Sequence, residues 1–408
     1  MTRLLNPPPP ETGTYRLPEV VADAERESTE AKNFVWLALH QVMLRVGWIF
    51  KTESIVMPAF MSHVGGGPVL LGLLPVLNRL GFSIPPLLYT RRLKVMPHKK
   101  WSVVATTLAM AGPFALLSAL WFTGLWRGAG GEAAAWMPWL FLAVYGIFFC
   151  LTGLNQLGAH ALHGKLIRPD LRGRLFMASV VVGTPLAITA AAWLLPAWLA
   201  QEDGGFGWIF GAVAIAFLFA GMSVLPAAET ADNFREQSTN AWQKLHGAWS
   251  IVRTHREARA VGILAALASA NLMLFPHYQA LGREEFGLDL TTTTRWFGLS
   301  VNGVALWVCV QNAATACISL VAGPLADRYG NRLALQFSVT GLAMAPLFIL
   351  FLMSQSTADG VQWFWLVFAP LGFMPVTIRL LINYTLEIAD SEDHPKFVSA
   401  IGMCLALP

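Results

Sequence analysis

Charge is scarce in this chain. Asp, Glu, Lys and Arg make up 13% of 408 residues, about half the share of an ordinary soluble domain. Too few ionisable groups are present to keep a water-facing surface over most of its length. The formal net charge is only +4, which excludes the strongly basic surface that nucleic-acid binding needs. Cysteine is also rare: Cys150, Cys309, Cys317 and Cys404 all lie in apolar runs without metal-ligand spacing. They read as small free hydrophobes, so no disulfide framework and no metal site is expected. No glycine-rich phosphate-binding loop is present, and no cofactor is expected. A secretory signal is missing too. Residues 1–33 open on four prolines, Pro7 to Pro10, and continue through Glu25, Glu27 and Glu30 without an apolar core. They are expected to form a retained, disordered cytoplasmic tail.

What the chain does have is apolar length. Hydrophobic residues reach 55% and cluster in runs long enough to cross a hydrocarbon core of roughly 30 Å. The runs predict an all-α, multi-pass membrane protein with spans near 34–62, 68–90, 102–123, 136–163, 175–200, 207–227, 259–281, 296–321, 333–353 and 361–388. Residues 397–408 would rise only about 18 Å, the start of an eleventh span, so an incomplete chain is expected. Residues 229–258 separate the first six spans (34–228) from the remainder (259–408). Within that linker, Trp242, Leu245, Trp249 and Val252 recur at helical spacing, which predicts an amphipathic helix on the membrane surface.

Basic residues orient the spans. Of 28 lysines and arginines, Arg127, Arg283 and Arg295 fall in one set of loops, and Arg45, Lys51, Arg79 and Arg379 fall in spans. The other 21 lie in the tail, the linker and the alternate loops. This bias predicts a cytoplasmic N-terminus in a multi-pass protein of the cytoplasmic membrane.

Between the eighth and ninth spans stands Gly323-Pro-Leu-Ala-Asp327-Arg328-Tyr-Gly330-Asn-Arg332. It is expected as a tight charged loop, with Gly330 permitting the reversal and Gly323 letting helix ends approach. The pattern G-x-x-x-D-R-x-G-x-R resembles the cytoplasmic loop signature of the major facilitator superfamily. The loop Arg168-Pro-Asp170-Leu-Arg172-Gly-Arg174 resembles the family's loop between helices four and five. The first copy of the signature, expected near 86–100, is degenerate: Thr90 replaces the acid, and Pro86 and Leu93 replace the glycines. The resemblance implies two six-helix halves, membrane lipid as the surroundings, and a monomer that carries a small-molecule substrate by alternating access. A gradient of protons or another ion, or the substrate gradient itself, would supply the driving force. Asp327, Arg328 and Arg332 would latch the cytoplasmic side.

Polar residues sort unevenly among the spans. Spans one, four, seven and ten hold Gln41, Arg45 and Glu53; Asn155, Gln156 and His160; Asn271, His277 and Tyr278; and Arg379, Asn383 and Glu387. The resemblance implies that these four spans line the central cavity. At 100° per residue Arg45 and Glu53 stand about 80° apart, so both are expected to face one cavity, whereas Lys51 points elsewhere and snorkels. Arg379, Asn383 and Glu387, spaced by four, share one helix face. Glu53 is the candidate proton carrier, because burial raises a carboxyl's pKa. The two arginines suit an anionic or strongly polar solute. Each residue taken singly, Asn155, His160 and His277 above all, also fits a structural bond between helices, and Arg45 also fits an ion pair with Glu53. Two other readings stand beside the carrier. One is a transporter-like sensor or scaffold. The other, a membrane enzyme, finds no acidic partner for His160 and His163 on their own helix.

Overall fold

The computed structural model describes residues 19–128, 130–232, 241–389 and 394–406. Helix α1 runs Glu19–Phe50. Residues 19–33, expected as disordered tail, are therefore helical, and their alanines, glutamates, arginine and lysine are good helix formers. Residues 1–18 lie outside the described residues. The expected first span then divides, because α1 stops at Phe50 and α2 runs Val56–His63. Pro58 accounts for the break. It offers no N–H to the carbonyl of Ser54, and its ring crowds that carbonyl. Inside the break, the Thr52 hydroxyl donates to the Ile49 carbonyl at 2.6 Å.

Helices α3 (Pro68–Val95), α4 (Lys100–Phe122), α5 (Met137–Leu166), α6 (Pro169–Ala178), α7 (Thr184–Leu199) and α8 (Phe206–Ser223) complete the first bundle. A π turn, Ser179–Gly183, joins α6 to α7 just ahead of Pro185, whose missing N–H breaks the regular ladder. The bundle's centre is aromatic: Phe60, Phe114, Phe141, Phe148, Phe206, Phe210 and Phe217 are fully buried. Helices α3 and α5 meet backbone to backbone. A methyl group on Gly153 would stand 2.2 Å from the Gly81 carbonyl oxygen, so this crossing admits only glycine. Below the bundle, Lys165 pairs with Glu229 at 2.8 Å and Asp232 at 3.0 Å, and Lys99 also binds Asp232. Glu229 accepts from the backbone N–H groups of Lys99 and Lys100 at 2.8 Å each, satisfying the start of α4.

Helix α9 (Ala241–Thr254) is the linker helix. Its Ile251 and Val252 pack against protein, in the cluster with Ala258 and Phe397, so its apolar face is not wholly left for lipid as expected. Trp249 is exposed, and the side chains of Trp242 and Leu245 lie outside the described residues. The second bundle begins with α10 (Arg256–Leu272) and α11 (Phe275–Phe286), broken ahead of Pro276. The hairpin β1 (Thr293–Trp296) and β2 (Leu299–Asn302) follows in antiparallel register. Its strands were expected partly in the eighth span. Positive φ at Phe297 (47°) and Gly298 (84°) makes the two-residue turn that suits twisted strands. Then come α12 (Gly303–Tyr329), α13 (Asn331–Met353), α14 (Thr357–Trp363), a 3-10 turn Phe364–Val367, α15 (Phe368–Leu371), α16 (Phe373–Glu387) and α17 (His394–Leu405).

Among the described residues, nine helical runs are long and apolar enough to cross a membrane. The broken, charged first span is not one of them. The signature between α12 and α13 also differs from expectation. Asp327 and Arg328 form the last turn of α12, and the loop contracts to one residue, Gly330, at φ 85°. Open space surrounds Gly323, so it mediates no close helix approach.

Candidate functional site

Polar side chains from both bundles converge at two levels. The first is built on α1. The Arg45 guanidinium donates to Thr184 Oγ1 at 2.8 Å, just past the π turn. Gly183 leaves room for this side chain, since a methyl there would lie 3.3 Å from Arg45 Cδ, tighter than ordinary contact. Arg379, on α16 of the second bundle, stacks its guanidinium 3.8 Å from the Phe176 ring of α6, a cation–π contact. Arg45 and Arg379 lie within electrostatic reach of each other, as do Arg379 and His160. Among the described residues neither arginine has a carboxylate within ion-pair distance. Gln156, His160, Arg379 and Asn383 are exposed although they lie within membrane-spanning helices, and Arg379 reaches across the two bundles to Phe176. Gln41, half-buried, stands one turn before Arg45 on the same face.

The second level centres on the break between α1 and α2. Glu53 lies in the break beyond the end of α1, so the unbroken helical phase that set it on one face with Arg45 does not hold. Its Oε1 accepts from Lys51 Nζ at 2.9 Å, and its Oε2 binds Asn78. Lys51 does not snorkel; its side chain is 0% exposed. Its ammonium lies 3.7 Å from the Trp48 ring centroid and 4.7 Å from those of Phe148 and Phe149. Those rings and Glu53 replace the water that snorkelling would have supplied. Glu53, 22% exposed, is thus not the isolated buried carboxyl that the proton-carrier expectation supposed. Next to it, Ser54 donates to Oε1 of Gln311, on α12 of the other bundle, at 2.5 Å.

The remaining expected residues divide. Asn155 is buried inside the first bundle and donates to Thr107 Oγ1 at 2.6 Å and Thr106 Oγ1 at 3.0 Å, so it bonds α5 to α4. Asn271 is half-buried, and Tyr278 is buried with its hydroxyl unpartnered. Asp327, Arg328 and Arg332 are exposed and make no ion pair among the described residues. Asn331 instead donates to Glu387 at 2.7 Å, joining the Gly330 turn to α16. The sequence reading missed Lys51, Thr184, Phe176 and Gln311 as parts of these sites. Only Lys51 carried a signal, its charge within a span.

Comparison with known proteins agrees with this architecture. No curated protein matches the sequence. Among solved structures, the nucleoside transporter NupG superposes with a TM-score of 0.62 at 12% identity, covering 93% of this chain and 88% of its own. A POT family transporter in complex with 5-aminolevulinic acid superposes with a TM-score of 0.62 at 10% identity, covering 98% and 90%. A bacterial homologue of the human lysosomal transporter Spinster, inward-facing and occupied, gives 0.54 at 16% identity, covering 92% and 78%. At these identities the likeness is one of fold. The sequence profile of the Major Facilitator Superfamily matches residues 47–408, nearly nine-tenths of the chain, and this protein belongs to that superfamily.

Proposed function

We propose that the chain is a secondary transporter that moves a small polar or anionic solute across the cytoplasmic membrane by alternating access, with its N-terminus in the cytoplasm. The observation that carries this reading is that Arg45 and Arg379, one from each bundle, lie within electrostatic reach of each other with no carboxylate among the described residues at ion-pair distance from either. A guanidinium on each side clamps an anionic group in forked hydrogen bonds. Drawing that group inward relieves the repulsion between the two cations, so the bound solute favours approach of the bundles at this end. The opposite end is already joined through Ser54 and Gln311. Alternation then consists of closing one end and releasing the other about a fixed site.

Coupling is assigned to Lys51 and Glu53. Glu53 is the one acid between residues 31 and 131, and a proton on it would loosen its hold on Lys51 and Asn78. Uptake by the purified chain in liposomes tests the reading. The panel is 5-aminolevulinic acid, a dipeptide and a nucleoside, each with and without an inward proton gradient. Saturable uptake that disappears in Arg45→Gln and Arg379→Gln is expected. A chain that binds solute but leaves every vesicle interior empty would instead be a transporter-like sensor.

A further inference from the structure

Arg79 sits in the middle of α3 and is 7% exposed. Its Nε is buried without a hydrogen-bond partner, and among the described residues its guanidinium makes no hydrogen bond and no ion pair. The nearest acid is Glu53, within electrostatic reach, but both Glu53 oxygens are already taken by Lys51 and Asn78. Two cations therefore share one carboxylate, and one positive charge is left uncompensated inside the protein. Such a charge is costly unless something pairs with it.

The position of Arg79 shows where a partner would enter. Gly72, Arg79 and Ser83 lie seven and four residues apart, on one face of α3. Gly72 looks onto His277 of α11, 3.7 Å from where its methyl would be, and Ser83 donates to the Gly402 carbonyl of α17 at 3.4 Å. Arg79 thus points at the seam between the two bundles.

We propose that Arg79 forms a buried anion site at the bundle seam that binds a carboxylate group. A carboxylate matches the planar fork of a guanidinium and accepts from the orphaned N–H of Arg79. This site is separate from the pair Arg45 and Arg379 and does not rest on the transport reading.

The test is thermal unfolding of the purified full chain in lipid nanodiscs, titrated with sodium acetate at fixed ionic strength against a bulky sulfonate. The comparison is made in an Arg45→Gln/Arg379→Gln background, which removes both cations of the other anion-binding pair, and there the chain with Arg79 intact should show a saturable rise in Tm. Adding Arg79→Gln to that background should abolish the response yet leave the acetate-free Tm at or above that of the background, because an unpaired cation has been removed. Adding Arg79→Lys should keep a response with half-saturation at roughly tenfold higher acetate, since an ammonium lacks the fork. Absence of a saturable response in the background would overturn the site, as would an undiminished one after Arg79→Gln is added. A lower Tm of Arg79→Gln without acetate would show that Glu53 already satisfies Arg79. A response to chloride but not to acetate would overturn the carboxylate assignment.

Discussion

The Ser54 hydroxyl donates to Oε1 of Gln311 at 2.5 Å, joining residues 257 apart in sequence across the two bundles. The bond sits beside the α1–α2 break and next to Glu53, so it ties the non-helical turn that holds the ion pair to the opposite half. A neutral hydrogen bond contributes about 1 kcal/mol net, or roughly a fivefold shift in a two-state equilibrium. Ser54→Ala and Gln311→Ala should each shift the bundles toward opening at the hairpin end. Distances between spin labels on α2 and α11 measure that shift, and an unchanged distribution in both variants would deny the tie a gating role.

The pairing of Lys51 with Glu53, and of Arg45 with Thr184, predicts an unequal set of double-mutant results. Lys51→Met removes the nearest counter-charge of Glu53 from an aromatic cage and should destabilise by about 3–5 kcal/mol. Adding Glu53→Gln should recover much of that loss. Arg45→Gln and Glu53→Gln should instead add to within about 0.5 kcal/mol, as separate sites do. Unfolding midpoints of the singles and doubles decide between the two pairings.

Gly330 and Gly323 belong to one motif but to different backbones. At φ 85° Gly330 adopts a conformation that side chains resist, so Gly330→Ala should cost about 1–2 kcal/mol. The cost is conformational, because no atom lies near its missing Cβ. Gly323 lies inside α12 with open space around it, so Gly323→Ala should be neutral or stabilise by up to about 1 kcal/mol. Thermal unfolding of the two variants side by side tests the contrast.

Asp232 holds the segment after α8 against Lys99 and Lys165. The hydrogen bond from Lys99, followed by that from Lys165, holds its carboxyl below the ordinary value of 3.8. A carboxylate whose folded pKa is depressed stabilises the fold above its unfolded pKa, and that stability is lost as the pH falls through the folded value. Hydrogen exchange of residues 227–232 should therefore stay slow near neutrality and rise, after correction for intrinsic rates, once the pH drops below about 3.8. In Asp232→Asn the protection should already be lower at neutral pH. Protection that is independent of pH in the native chain would remove Asp232 from the clasp.

Much of the architecture was written in local chemistry. Twenty-residue apolar runs have to be helices in lipid, since only a helix satisfies its own backbone within one segment. The positions of α3, α4, α5, α7, α8 and α13 follow from that rule, whereas α6 takes in Pro169 to Arg174, which read as a loop. Gly330 was marked as a reversal because it is a glycine between two such runs. The concentration of polar groups on spans one and ten was also visible, since Arg45 and Arg379 stand as charges within apolar runs. Helical phase, however, assumes an unbroken helix. It put Glu53 beside Arg45 and turned Lys51 to the surface, and the break ahead of Pro58 undid both. Asn155 could not be told from a cavity residue until Thr106 and Thr107 on α4 came against it. The unpartnered Nε of Arg79 is likewise a property of the packed bundles, because whether a charge is paired depends on which residues of other helices arrive within about 3 to 4 Å. Local sequence therefore determined which segments are helices and which carry charge. Tertiary packing alone decided which of those charges found partners and which were left facing the seam.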